Sequence, residues 1–287
     1  MNSEETSLLI KQIMGQAIAE QARRYTYCLI YKEIGETKVG TAVAVKVGKR
    51  FFLATAGHVI KDAQSVKALM HDQISSDFSD FVAKHYDSQL DVGLLEISLC
   101  DSHRFDFLPQ DRLYEEIEDT QEIPAIVIGF ASQFCNTAGQ IYLSPESSLR
   151  IVRCDTLTLN TFVLPVSKWP SEGLPDEYGI NRQLVNGHDI LIDYTPEPEI
   201  KPFTSKSAGT DNPSIECLSL DPRGISGGGI WLAQIAESEE KVHSPDTRLI
   251  GQQLGWHRTK NLLRGIRISA WLDLVRERYP EITTLEK

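Results

Sequence analysis

DPRGISGGGIW, Asp221 to Trp231, crowds four glycines around a single serine, Ser226, between a proline-containing turn and an apolar run. A serine flanked in this way sits on a tight turn where the backbone can approach a ligand closely, and the N–H groups of Gly224 and Ser226 can converge on one point. That is the local geometry an acyl-transfer nucleophile needs. A glycine-rich loop of an ordinary β protein contains the same letters, so the reading turns on the rest of the chain. A serine hydroxyl is a weak nucleophile until a base takes its proton and a third group orients that base.

Two upstream stretches offer those parts. ATAGHVI, Ala54 to Ile60, ends a strongly apolar strand with a histidine directly after a glycine. His58 therefore falls where a strand gives way to a turn or short helix, a place suited to an imidazole that titrates near neutrality. The other six histidines lie in polar or loop-like surroundings, or lack such a flanking motif. Asp91 opens the apolar run DVGLLEI. A carboxylate drawn toward burial must be paired or well hydrogen-bonded, and an imidazole N–H would serve; Asp87 is the nearest substitute.

The surrounding pattern is β-rich. YTYCLIYKEI, VGTAVAVKV and RFFLATAGHVI, between Tyr25 and Ile60, are rich in Val, Ile, Thr and aromatics and are separated by turn residues. LDVGLLEIS follows after an ambiguous polar stretch, Lys67 to Tyr86, and a polar acidic segment, Tyr114 to Glu122, reads as the link between two lobes. Beyond it come IPAIVIGFA, QIYLS, LRIVRCDTLTL, TFVLPVS, HDILIDYT, GGIWLAQIA, RLIGQQLGW and LLRGIRISA. Strands at this spacing predict antiparallel barrels rather than βαβ units. Trp169 to Asn186 reads as a surface excursion and Pro196 to Pro213 as a long loop. Apolar residues at three- and four-residue steps predict an amphipathic helix over Glu5 to Arg24, able to pack on the body or to dock a regulatory protein partner, and a short helix at the end around Trp271 to Val275.

Composition narrows the class. A formal charge of −11 disfavours nucleic-acid binding as the main task, and no run of about 18 apolar residues exists to span a membrane. Five scattered cysteines without a CxxC pair predict reduced thiols rather than a disulfide frame or a zinc site. The polar, acidic N-terminus is unlike a secretory signal, so a cytoplasmic protein with no metal or cofactor is expected.

TAGH, LDVGLLEI and GISGGG, in that order, resemble the His, Asp and Ser motifs of trypsin-like (chymotrypsin-fold) serine peptidases, especially bacterial intracellular members. The His58–Asp91 spacing of 33 residues is short but workable for that fold, and the long spacing of 135 residues from Asp91 to Ser226 implies added loops in the second lobe. The resemblance covers about Val39 to Val275. It implies two antiparallel β-barrels, an N-terminal helical extension over 1–24, a first lobe over 25–115 and a second over 116–287 that ends in a helix. It further implies a serine endopeptidase with Ser226 as nucleophile, His58 as base, Asp91 behind the imidazole, and an oxyanion hole from the N–H groups of Gly224 and Ser226. RLIGQQLGW looks like the strand lining the specificity pocket, so Leu220, Asp221, Gln253, Leu254 and Gly255 are the expected substrate-binding residues. An inward Asp221 would favour basic side chains; a pocket governed by Leu220 and Gln253 would favour uncharged ones. Ile225 stands where digestive members carry an aspartate, so activation by N-terminal cleavage is not expected.

Protein or peptide substrates, few in number and cut in a regulatory or signalling role, follow from this reading. Two others remain open: a silent or latent peptidase-like module that binds peptides, and an α/β-hydrolase-type esterase whose GISGG would be a nucleophile elbow served by Asp246 and His257.

Overall fold

The computed structural model describes residues 15–34, 36–69, 81–118, 120–132, 135–136, 153–154, 156–175, 181–194, 221–233 and 247–283. A helix, α1 (15–24), leads into β1 (Thr26–Glu33), β2 (Glu36–Val47) and β3 (Arg50–Ala56). A single helical turn, α2 (Gly57–Lys61), follows, then β4 (Ser65–Leu69), β5 (Ala83–Asp87), β6 (Val92–Ile97) and the two-residue β7 (Leu108–Pro109). These strands form one sheet in the order β4-β1-β2-β3-β6-β5, with β7 added in parallel to β2. Among the described residues this sheet is open, with β4 and β5 at its ends. Residues Val92 to Ile97 and Gly40 to Val45 are buried without alternation, because one face of these strands meets the first core and the other is covered by helices or by the second lobe.

The second lobe is a closed barrel. Its strands are β8 (Ile123–Gly129), β11 (Leu157–Val163), β14 (Asp189–Asp193), β15 (Gly229–Leu232), β16 (Arg248–His257) and β17 (Leu262–Arg267), in the order β11-β14-β17-β16-β15-β8 with every pair antiparallel. Two short ladders stand beside it, β9 (Cys135–Asn136) with β10 (Arg153–Cys154), and β12 (Leu174–Pro175) with β13 (Asn181–Arg182). The chain ends in α3 (Ile268–Arg278) and α4 (Pro280–Thr283). This is the chymotrypsin-like double barrel expected from the motifs. It corrects the esterase alternative: an elbow needs a helix straight after the serine, and here the chain enters β15 of an antiparallel barrel.

Several boundaries moved. The ambiguous Lys67–Tyr86 stretch contributes the ends of two strands, β4 and β5. LLRGIRISA is not one strand, since β17 stops at Arg267 and α3 begins at Ile268. QIYLS and Pro196 to Pro213 lie outside the described residues.

Both chain ends tie the lobes together. Ile18, Ala19 and Ala22 on α1 are buried in the core, Arg23 Nη2 donates to Thr158 Oγ1 at 3.0 Å, and Thr247 Oγ1 donates to Gln21 Oε1 at 2.6 Å. The described apolar face of the N-terminal helix is thus used within the chain. From the other end, α3 runs back from the barrel onto β6. Trp271 is fully buried there, its Nε1 donates to the Gly93 carbonyl at 3.2 Å, and its ring stands edge-on to Phe52 with centroids 6.0 Å apart. Tyr279 OH donates to Glu96 Oε2 at 3.0 Å, and Glu96 also pairs with Arg50. Among the described residues no helix is long and apolar enough to cross a membrane.

Because Trp271 holds the strand that begins directly after Asp91, its loss should be felt both globally and at that strand. We expect Trp271→Ala to lower unfolding free energy by roughly 3–5 kcal/mol in a denaturant titration, the usual cost of emptying a large aromatic site.

Candidate active site

Three segments meet at the junction of the lobes. β3 ends at Ala56, and α2 turns the chain so that His58 is carried out of the sheet with its side chain 44% exposed. Asp91 sits opposite, at the start of β6, in the left-handed backbone region with φ 59°. Aspartate tolerates that conformation better than most residues, and such strain collects at functional sites. Its carboxylate makes two hydrogen bonds to one residue: His58 N–H donates to Oδ1 at 2.8 Å, and His58 Nδ1 lies 2.9 Å from Oδ2. The Asp91 carbonyl also accepts from Gly57 N at 2.8 Å. A carboxylate can only accept, so Nδ1 carries the proton and Nε2 of a neutral ring is left as the basic nitrogen.

Glycine makes that approach possible. A Cβ on Gly57 would lie 3.1 Å from the Asp91 backbone carbon and from Oδ1, and one on Gly93 would meet Ile60 Cδ1 at 2.8 Å. Helix α2 therefore rests on β6 at a separation that larger residues would widen.

The serine loop, Asp221 to Gly228, has no regular structure of its own and is held from both lobes. Thr41 of β2 is fully buried and makes four hydrogen bonds: its N–H donates to the Ser226 carbonyl (2.9 Å), its Oγ1 donates to the Gly224 carbonyl (3.1 Å) and accepts from Phe130 N (2.9 Å), and its carbonyl accepts from Thr55 Oγ1 (2.7 Å). Gly227, with φ +86°, is wedged against the same place; a Cβ there would lie 2.1 Å from the Thr41 carbonyl oxygen and 3.0 Å from Ala56 N. Gly227, the residue after Ser226, is thereby packed against the end of β3, two residues ahead of His58. Ile225, 1% exposed, anchors the loop in the second core against Gly129, where a Cβ would come within 2.9 Å of its own.

The peptide planes of the loop are oriented by their carbonyls. Ser132 N donates to the Arg223 carbonyl and Gly228 N to the Ile225 carbonyl, each at 2.7 Å. In a trans peptide the N–H points opposite to the C=O. The N–H groups of Gly224 and Ser226 are turned away from those partners, and neither has an acceptor among the described residues. Ser226 Oγ itself donates to the Leu254 carbonyl on β16 at 3.2 Å.

Leu254 marks the start of an open strand edge. β15 pairs with β16 as far as Gln252, and Gln253 is closed off by its bonds with Gly227 N (2.7 Å) and the Gly228 carbonyl (2.8 Å). From Leu254 onward β16 has β17 as its one strand partner among the described residues, and its other side borders a cleft of about 630 Å³. His58, Asp91, Leu254 and Gly255 line it, as do Trp256 and Arg182. His257 is held below the usual histidine range by burial and by the Arg264 guanidinium.

The substrate-binding expectations divide. Leu254 and Gly255 line the cleft, whereas Gln253 is 2% exposed and does not. Asp221 is not among the residues lining this cleft: Arg223 Nε donates to its Oδ2 at 2.6 Å, and that bond holds the carboxyl below the ordinary range. Leu220 and Asp246 lie outside the described residues. The Trp169–Asn186 excursion, read as mere surface, folds through β12 and β13 over the cleft and supplies Leu174, Arg182 and Leu184. Nothing local in its Pro-, Gly- and charge-rich sequence announces that return.

No family model matches the sequence, and no curated protein matches it either. Solved structures share the fold. The chain is similar to the HtrA-type protease AlgW with tripeptide at 14% identity and a TM-score of 0.52, covering 91% of this chain and 62% of that one. It therefore spans about 62% of the length of that relative. It is also similar to the scabies mite inactivated protease paralogue S-I1, at 10% identity and a TM-score of 0.50, covering 91% of this chain and 96% of that one. The expected likeness to chymotrypsin-fold serine peptidases is thus shown for the fold. One of these neighbours is called a protease and the other an inactivated paralogue, so activity has to be argued from the residues.

Thr41 gives a direct test of the loop's support. Thr41→Val removes one donor and one acceptor while keeping the shape, leaving the Gly224 carbonyl and Phe130 N–H unsatisfied, and we expect a loss of roughly 1–3 kcal/mol in unfolding free energy. Thr41→Ser should restore most of it, and amide exchange should locate the loosening at residues 221–228.

Proposed function

We propose that the chain is a serine endopeptidase working through Ser226, His58 and Asp91. The observation that carries this reading is the double hold of Asp91 on His58, through the backbone N–H and through Nδ1 together. A carboxylate needed only for solubility or turn formation has no reason to set a tautomer; one that does so leaves Nε2 ready to take a proton.

In the proposed cycle a peptide lies extended along the open edge of β16 from Leu254, as an added strand. Its backbone N–H competes for the Leu254 carbonyl, and the Ser226 hydroxyl is released toward the imidazole. Oγ attacks the scissile carbonyl carbon as its proton passes to His58 Nε2, and the oxyanion is received by the N–H groups of Gly224 and Ser226, each worth about 3–4 kcal/mol in the transition state. The imidazolium, held by Asp91, returns the proton to the leaving amine as the C–N bond breaks. Water then repeats the sequence on the acyl-enzyme, with His58 again as base, and regenerates Ser226. A restricted, regulatory substrate range remains part of this proposal.

The Ser226–Leu254 hydrogen bond favours a second reading, in which the resting protein is latent and waits for a ligand to free the hydroxyl. A fluorophosphonate probe read by mass spectrometry addresses both. We expect labelling of Ser226, slowed roughly 10²–10⁴-fold by His58→Ala and markedly by Asp91→Asn. Labelling that appears only when peptide is added supports latency. Labelling indifferent to His58, or none with or without peptide, would refute the peptidase reading.

A further inference from the structure

Resting on the peptidase reading, we propose that the cleft selects peptides carrying a carboxylate side chain about two to four residues from the scissile bond, read by the Arg182 guanidinium with Arg258 lining the same cleft. The chain as a whole is acidic, with 29 basic against 40 acidic residues. The cleft reverses that balance: Lys61, Arg182, Arg258 and Arg264 line it, against the carboxylate of Asp91 alone. Asp91 is already engaged by His58.

The other arginines near the lobes show what structural pairing looks like here. Arg264 binds Asp189 (Nε to Oδ1, 2.9 Å), Arg276 binds Glu115 (3.2 Å) and Arg50 binds Glu281 (2.8 Å). Arg182 has no carboxylate within ion-pairing distance among the described residues. Burial and the neighbouring Arg264 charge press on it, and the pull of Asp189, Asp91 and Asp87 only partly offsets them. Asp189 and Asp87 are committed, to Arg264 and Val185 N–H and to the backbone of Gln89 and Leu90 respectively. Arg258 stacks over Trp256, 5.9 Å from the ring centroid, and Asp221 within its electrostatic range is held by Arg223. A half-desolvated Arg182 guanidinium with no acceptor among the described residues, next to that of Arg264, is an unfavourable arrangement that an incoming carboxylate relieves, and the planar fork suits a carboxylate's two oxygens.

Strand geometry sets the distance. From Leu254, which touches Ser226, to Trp256 and His257 at the end of β16 is two to three residues, about 7–10 Å, with Arg258 in the turn that follows, and an extended peptide on that edge advances at the same pace.

The test is cleavage of a mixed peptide library by the full chain, with the cut sites sequenced by mass spectrometry. Asp and Glu should be enriched two to four positions from the cut on one side, by about tenfold or more over Asn and Gln. Arg182→Gln should bring that ratio close to one and Arg258→Gln should reduce it, with thermal unfolding showing that each variant is folded. Cleavage without acidic enrichment in the wild type, or enrichment undiminished in both variants, overturns the proposal while the peptidase reading stands. If the library is not cut, fluorescent decapeptide pools with one fixed Glu or Gln are titrated onto the Ser226→Ala protein. Tighter binding of the Glu pool by about tenfold upholds the anionic subsite although the peptidase reading fails; equal binding overturns the subsite as well.

Discussion

Thr41 is the point on which the arrangement rests. It belongs to the first lobe, yet its amide and hydroxyl are spent on the serine loop and on the end of β8 in the second, all without solvent contact. The loop that receives these bonds contains three glycines between residues 224 and 228, which cost more ordering entropy than any other residue. Its order comes from outside: Ile225 buried in the second core, Ser132 holding the Arg223 carbonyl, Gln253 holding Gly227 and Gly228, and Thr41 across the junction. Neither lobe alone contains the groups that shape this loop. The fold places the serine loop at the seam, where two sheets constrain one glycine-rich segment from opposite sides.

The histidine is fixed by a different economy of parts. A five-residue helix has too few internal hydrogen bonds to hold a side chain firmly, so the positioning of His58 falls to Asp91, a residue placed in the left-handed region and backed by β6. β6 in turn is held by Trp271 through the Gly93 carbonyl. Helix α3 thereby comes within two residues of the carboxylate behind the imidazole. The glycines at 57 and 93 complete the contact by letting helix and strand approach to a distance that a side chain would widen.

What could be read from the sequence was whatever is written locally. TAGH and LDVG lie at the ends of strongly apolar strands, and GISGGG is a run of residues whose conformational freedom is its own signature. β4 and β5 escaped because they are the outer strands of an open sheet. AKHYD alternates between intermediate and exposed positions and carries no apolar period. The excursion over the cleft escaped for a different reason. Arg182 gains its meaning from Arg264 and Asp91, residues far away in the chain, and a Pro- and Gly-rich segment looks the same whether or not it folds back. Thr41 shows an intermediate case: a hydroxyl inside GTAVAV marks a buried polar group that must find partners, although the sequence does not say which. Asp221 was the reverse. Its answer was two residues away, in the Asp-Pro-Arg turn that binds Arg223 to it.

The contrast between an acidic chain and a basic cleft is a matter of range. At physiological ionic strength fields from exposed charges fade over about 8 Å, so the overall −11 weighs on the approach of an anionic peptide and little on its bound state. Inside the cleft the balance is reversed, because Arg182 is partly withdrawn from water and would act at contact, where screening is weak. Attraction confined to contact distance discriminates by position along the peptide rather than by total charge. A uniformly acidic partner gains little from such a site, while a single carboxylate at the right spacing gains its full hydrogen bonding. Selectivity of that kind needs no change in the residues proposed to be catalytic. It needs only that the strand edge starting at Leu254 deliver the same side chain to the same guanidinium each time.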